Sequence, residues 1–249
     1  MRFADRILFV TGGASGLGRA TAERVVAEGG KAVIVDLDPE RAKATAAEIG
    51  DCIGVGADVS DEEQVRAALA AAVEAFGGID FVLAAAGHAD FDLIEDWDVE
   101  RFQRMINVHL GGTFLTCKHT TPIMKERGRG SIVTVASIAA LMGTGRNTPY
   151  GAAKAGIVGF TRHYALEALP EVRVNCVAPG RVVTGMTIPL LIERGGDLER
   201  GEQVSAQGIP MSRMGRPGEL AGPITFLFSD DASFITGQTL VVDGGETIS

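Results

Sequence analysis

Seven short apolar runs punctuate the chain, at 6–10, 31–36, 52–58, 79–86, 131–137, 172–179 and 239–245, and none alternates with polar residues. "KAVIVD" and "SIVTVAS" show the pattern: valine and isoleucine follow one another without a wet face. A strand that is apolar on both faces must be covered on both faces, which places it inside a sheet sandwiched by helices. The intervening segments supply those helices. "DEEQVRAALAAAVEAFG" (61–77) is alanine-rich, with a charged side. Strand and helix in alternation build right-handed βαβ units. The expected fold is therefore a Rossmann-type doubly wound α/β sheet of about seven mostly parallel strands with helices on both faces. No linker or composition shift divides the 249 residues, so a single domain over 1–249 is expected. The one long interruption, 181–217, is rich in Gly, Met, Arg and Glu and reads as a functional lid.

The first strand runs into "VTGGASGLGRA", which opens a helix. Gly12, Gly16 and Gly18 let the backbone turn, approach a pyrophosphate and pack the helix on the sheet. Asp36 stands 18 residues beyond Gly18, at the end of the second strand. A carboxylate there can accept hydrogen bonds from an adenosine ribose. It would repel a 2′-phosphate, and Ala14, Ser15 and Leu37 offer no compensating charge. NAD is thus expected over NADP.

"PYGAAKAG" sets Tyr150 four residues before Lys154 among small neighbours. Residues four apart on a helix share a face. A free phenol titrates at about 10 and is a poor base at neutral pH; bringing it toward about 7 takes roughly 4 kcal/mol of electrostatic help. An adjacent ammonium and a cationic cofactor could together supply that.

Composition narrows the partners. Net charge is −9, from 23 basic and 32 acidic residues, with no basic cluster to suit nucleic acid. Cys52, Cys117 and Cys176 are odd in number and set in apolar contexts, which fits reduced thiols in a cytoplasmic protein. No Cys/His spacing suggests a metal site. No run is long enough for a membrane span or a signal peptide, so neither is expected.

With these motifs in place, the chain resembles the short-chain dehydrogenase/reductase family over essentially its full length. The Thr11–Gly12–x3–Gly16–x–Gly18 spacing, the Tyr150-x3-Lys154 pair and Ser137 thirteen residues before the tyrosine carry the likeness, together with Asn107 in "MINVHLGG". The resemblance implies a catalytic set of Asn107, Ser137, Tyr150 and Lys154. In it Tyr150 is the acid/base, Ser137 holds the substrate oxygen, and Lys154 also binds the nicotinamide ribose. Asn107 anchors a proton-relay water. It further implies cofactor contacts from Ser15, Leu17 and Leu37, from Asp58 and Val59 at the adenine, and from Ala85 and Gly87. "PGRVVT" adds Pro179, Gly180, Val182 and Thr184 at the nicotinamide. One departure stands out: where the family usually carries asparagines after the fourth strand, this chain reads Ala84–Ala85–Ala86–Gly87.

The implied activity is NAD-dependent interconversion of a secondary alcohol and a ketone. Ile138, Leu141, Met142, Met186, Ile188, Leu190 and Leu191 suggest an apolar pocket for a small or medium substrate, cyclic ones included. His88 could reach a substrate or serve as a polar loop residue, and Arg146 and Arg181 could meet a carboxylate or stay solvated. The resemblance also implies a homotetramer. Two rival readings are an NADPH-dependent 3-oxoacyl-[acyl-carrier-protein] reductase, which Asp36 disfavours, and a nucleotide-binding regulator without turnover, which would need no catalytic residues.

Overall fold

A computed structural model describes all residues, Met1–Ser249. The seven strands are β1 (Ile7–Thr11), β2 (Lys31–Asp36), β3 (Cys52–Gly56), β4 (Phe81–Ala84), β5 (Gly130–Val135), β6 (Val172–Pro179) and β7 (Thr239–Val242). They form one sheet in the order β3-β2-β1-β4-β5-β6-β7. Every pairing is parallel, where the sequence suggested only that most would be.

Along β1, Leu8 and Val10 pack toward one face and Phe9 toward the other, as the two-residue strand period requires. The Leu8 face meets α1 (Gly16–Ala27), α2 (Pro39–Ile49) and α9 (Pro217–Phe228). The Phe9 face meets α3 (Glu62–Phe76), α5 (Gly112–Glu126) and α6 (Thr148–Ala168). Each fully enclosed Leu or Ile contributes about 1.5–3 kcal/mol, so two continuous apolar layers hold the sheet. At its N-terminal edge Asp80 is wholly buried, yet it accepts bonds from Arg6, Arg127, Arg129 and the Ile7 amide. A buried carboxylate needs that many partners.

Two features position the site. First, the chain reverses direction across the sheet between β1 and β4, and open α/β sheets bind ligands outside the carboxyl ends of the strands at such a point. Second, the long helical stretch α4 (Val99–Ile106) to α5 is broken by a π turn, Asn107–Gly111. The 181–217 excursion carries α7 (Ile188–Gly195) and α8 (Leu198–Ser205). Its two ends are pinned by a bridge between Val182 and Gly215. No helix is long and apolar enough to cross a membrane.

Candidate active site

Asp38, Asp61, Asp98 and Asp197 cap the N-termini of α2, α3, α4 and α8 with side-chain hydrogen bonds. Helix α1 differs: Ser15 stands at its N-cap and makes no such bond. Its first amides are therefore free to face a ligand, and the α1 dipole favours an anion there. Gly12 adopts φ +65°, and a Cβ on Gly18 would overlap the Gly12 carbonyl. The loop is thus wound tightly against the helix start, a cradle that only glycine permits. Asp36 accepts a bond from the Ala14 amide at 3.1 Å, which fixes its carboxylate beside that cradle. These residues suit a dinucleotide.

A cleft of about 1530 Å³ begins at this loop and runs along the carboxyl ends of the strands. All the residues expected at the cofactor line it, from the glycine loop through Asp36, Leu37, Asp58, Val59, Ala85 and Gly87 to Pro179, Gly180, Val182 and Thr184. Arg41 of α2 is also on the wall, a cation missed by inspecting only the positions beside Asp36. The small residues after β4 are held by Thr11, whose hydroxyl accepts from the Ala85 and Ala86 amides at 3.2 and 3.3 Å. The amide side chains absent there are thus offset by a hydroxyl from β1.

At the other end of the cleft Ser137, Tyr150 and Lys154 converge. Ser137 follows β5 and accepts from the Ala139 amide at 3.2 Å, which leaves its own hydroxyl hydrogen free to donate. Lys154 is buried and donates to the Val135 carbonyl at 2.7 Å, with Nζ 5.5 Å from the centre of the Tyr150 ring. Burial pushes its ammonium from 10.5 down to about 8. Burial also raises the Tyr150 phenol, and the Ser137 hydroxyl opposes that rise. Lys154 alone therefore does not activate the tyrosine in the ligand-free protein, contrary to the simplest reading of the motif. Additional positive charge has to arrive with a ligand.

The fourth residue stands apart from these three. Asn107 is exposed at the start of the π turn and lies outside the cleft wall. The buried residue of that turn is His109, whose ring meets Tyr150 edge-on at 5.3 Å. A π turn inserts an extra residue into the helical register, which changes the side chain that points inward. The adjacent Gly111 and Gly112 were the available signal of an irregular helix.

Ile138, Met142, Met186, Leu190 and Leu191 line the substrate end; Leu141 and Ile188 do not. His88 reaches the cleft, with Phe91 beside it. Arg181 is committed elsewhere, to the Ser205 carbonyl and to Glu246. Arg146 pairs with Asp92 at 3.4 Å. Cys117 and Cys176 are buried as expected, whereas Cys52 is only partly so.

The buried lysine has a measurable cost. An unfolded chain holds the Lys154 proton up to about 10.5, the folded one only to about 8, so unfolding takes up a proton between those values and stability rises with pH there. Lys154→Met is expected to melt above the wild type at about pH 7, with the gap shrinking as pH climbs through that window. A gap independent of pH would contradict the burial argument.

Known proteins resemble this chain over nearly its whole length. A family model described as enoyl-(acyl carrier protein) reductase matches residues 12–247. The chain is 37% identical over 257 residues to levodione reductase of Leifsonia aquatica, covering 99% of this chain and 96% of the relative. It is 40% identical over 251 residues to cis-4-hydroxycyclohexanecarboxylate dehydrogenase of Sinomonas cyclohexanicum, covering 98% of each. A crystal structure of a short-chain dehydrogenase/reductase of the glucose/ribitol dehydrogenase type from Brucella melitensis superposes with a TM-score of 0.92 at 37% identity, covering 100% of this chain and 99% of that one. The chain belongs to the short-chain dehydrogenase/reductase family, as an oxidoreductase of CH–OH groups that works with a nicotinamide cofactor.

Proposed function

We propose that this protein interconverts a cyclic secondary alcohol and its ketone with NAD, using Tyr150 as the general acid/base. The observation that carries the reading is the single cleft that joins the glycine loop and Asp36 to Ser137, Tyr150 and Lys154. Nicotinamide, when bound, supplies the hydride acceptor or donor. Ser137 donates to the substrate oxygen and holds it beside the phenol. In oxidation Tyr150 Oη takes the alcohol proton, and in reduction it returns one to the forming alkoxide. Lys154 keeps a positive charge on the far side of the tyrosine and favours its ionised form. Asn107, exposed, has no part in this scheme.

The carboxylate of Asp36 favours NAD because a 2′-phosphate would bring like charges together. A cyclic substrate is supported by the apolar wall of Ile138, Met142 and Leu190 and by the six-membered ring named in the cyclohexanecarboxylate relative. The segment 181–217, pinned at both ends, serves as the lid of one domain. Exposed apolar side chains, Phe114 of α5, Leu166 of α6, and Phe234 and Ile248 nearer the C-terminus, fit a homotetramer, and the reading places it in the cytoplasm.

Cyclohexanols, cyclohexanediols and sugar alcohols assayed with NAD, following absorbance of the reduced cofactor, test the reading. Turnover is expected to be highest among the cyclic alcohols. Preference for acyclic sugar alcohols, or no turnover across the whole panel, would overturn it.

A further inference from the structure

His109 is a histidine with no obvious duty. It lies in the π turn, is about 1% exposed, and packs between two pieces of the catalytic wall. On one side its Nε2 lies 3.2 Å from the His88 amide and 3.0 Å from the His88 carbonyl. A Cβ on Gly87 would overlap its Cε1, so the chain after β4 has been cleared to glycine to admit the ring. On the other side its ring stands at 86° to Tyr150 with the centres 5.3 Å apart. Aromatic pairs favour this edge-to-face arrangement, which restricts rotation of the phenol. Its Nδ1 is buried with no hydrogen-bond partner.

The charged and titratable groups around it are His88 from the loop after β4 and Tyr150 and Lys154 of α6. Arg104 and Asp90 act on His88, and Cys176 of β6 acts on Lys154. Burial, then the Lys154 charge, pushes the His109 imidazole down to about 2. Burial therefore favours the neutral imidazole beside the lysine.

We propose that His109 is the positioning residue for Tyr150: its imidazole, wedged between the His88 main chain and the phenol ring, fixes the tyrosine toward Ser137 and keeps water from its flank. The inference rests on Tyr150 being the acid/base, and adds to it a residue outside the expected catalytic set. A wedge of this kind acts in two ways. It sets the angle of the phenol, which affects turnover. It also dries the phenol, which raises the pH at which the phenol ionises.

The chain has two tyrosines, Tyr150 and Tyr164, so the difference between the tyrosinate absorbance titrations of a protein and of its Tyr150→Phe counterpart isolates Tyr150. In His109→Ala, ligand-free, the Tyr150 midpoint is expected to fall by about half a pH unit or more as water enters. Turnover of the best cyclic alcohol should fall about tenfold at saturating NAD, with NADH affinity, read by cofactor fluorescence, within about twofold. His109→Phe refills the wedge and should restore both midpoint and turnover to near the wild-type values. His109→Ser is read in the same way as the alanine variant, so an unfolded alanine protein does not end the test. An unmoved midpoint in the small variants would overturn the proposal, whether turnover holds or falls, and so would a phenylalanine variant as impaired as alanine. Failure of the underlying reading looks different: Tyr150→Phe would retain turnover.

Discussion

Tyr150→Phe is expected to lose turnover by about 10³-fold or more while binding NADH as the wild type does. The substitution removes one oxygen and keeps the ring. The ring's contacts, with His109 at 5.3 Å and Phe91 at 6.3 Å, are therefore preserved, and the fold with them. The groups proposed to hold the nucleotide, Asp36 and the α1 N-terminus, lie at the far end of the cleft and are untouched. The loss should appear in kcat more than in KM, because Ser137 still orients the substrate oxygen and only the proton transfer is missing. Turnover within tenfold of wild type would move the acid/base to another residue. Steady-state kinetics alongside a cofactor titration decide the matter.

Asp36→Ala carries the second large effect, on the choice of cofactor. The carboxylate is anchored by the Ala14 amide at the end of β2, where an adenosine ribose would sit. Like charges brought together at such a site cost several kcal/mol. Removing the carboxylate lifts that barrier, and it also exposes NADP to Arg41 on the same wall. The ratio of kcat/KM for NAD over NADP is expected to fall by about 100-fold or more, partly from poorer ribose binding and partly from gained phosphate binding. Adding Arg41→Ala should then reverse part of the gain with NADP. A ratio unchanged in Asp36→Ala would mean that selectivity resides elsewhere in the cleft.

The architecture was legible because strands covered on both faces write long Val/Ile runs that nothing else in a chain of this size requires. Their ends were less legible. The seventh run is read to 245, but β7 stops at Val242, where the Asp243 carboxylate accepts from the Gly245 amide and Gly244 turns to φ +65°. The fifth run ends at Ser137, which the fold takes out of the sheet to cap a short turn with its hydroxyl. That exit is what presents the serine to the cleft.

The candidate site residues that the structure gathers along the cleft are those fixed by local backbone geometry: the glycine loop, Asp36 at a strand end, and Tyr150 and Lys154 one helical turn apart. Asn107 came from the likeness of "MINVHLGG" to the family motif, and that likeness gave no sign of the π turn that leaves Asn107 exposed and buries His109. The electrostatics were the least legible. Proximity of Tyr150 and Lys154 suggests a lowered phenol pKa. Yet both side chains are desolvated, and the lysine is drawn to the Val135 carbonyl. Burial opposes the charged form of each partner, so the ligand-free site holds the tyrosine protonated.

The proposed chemistry requires that phenol to change state when the cofactor arrives. Tyrosinate absorbance of the wild type, less that of Tyr150→Phe, can be followed against pH with and without saturating NAD. Tyr150 is expected to titrate above its ordinary value of 10.0 in the free protein. With oxidised cofactor bound it should ionise at least about two units lower, as the positive charge of the cofactor arrives beside the phenol. A Tyr150 that titrates at the same high pH with and without NAD would contradict the mechanism.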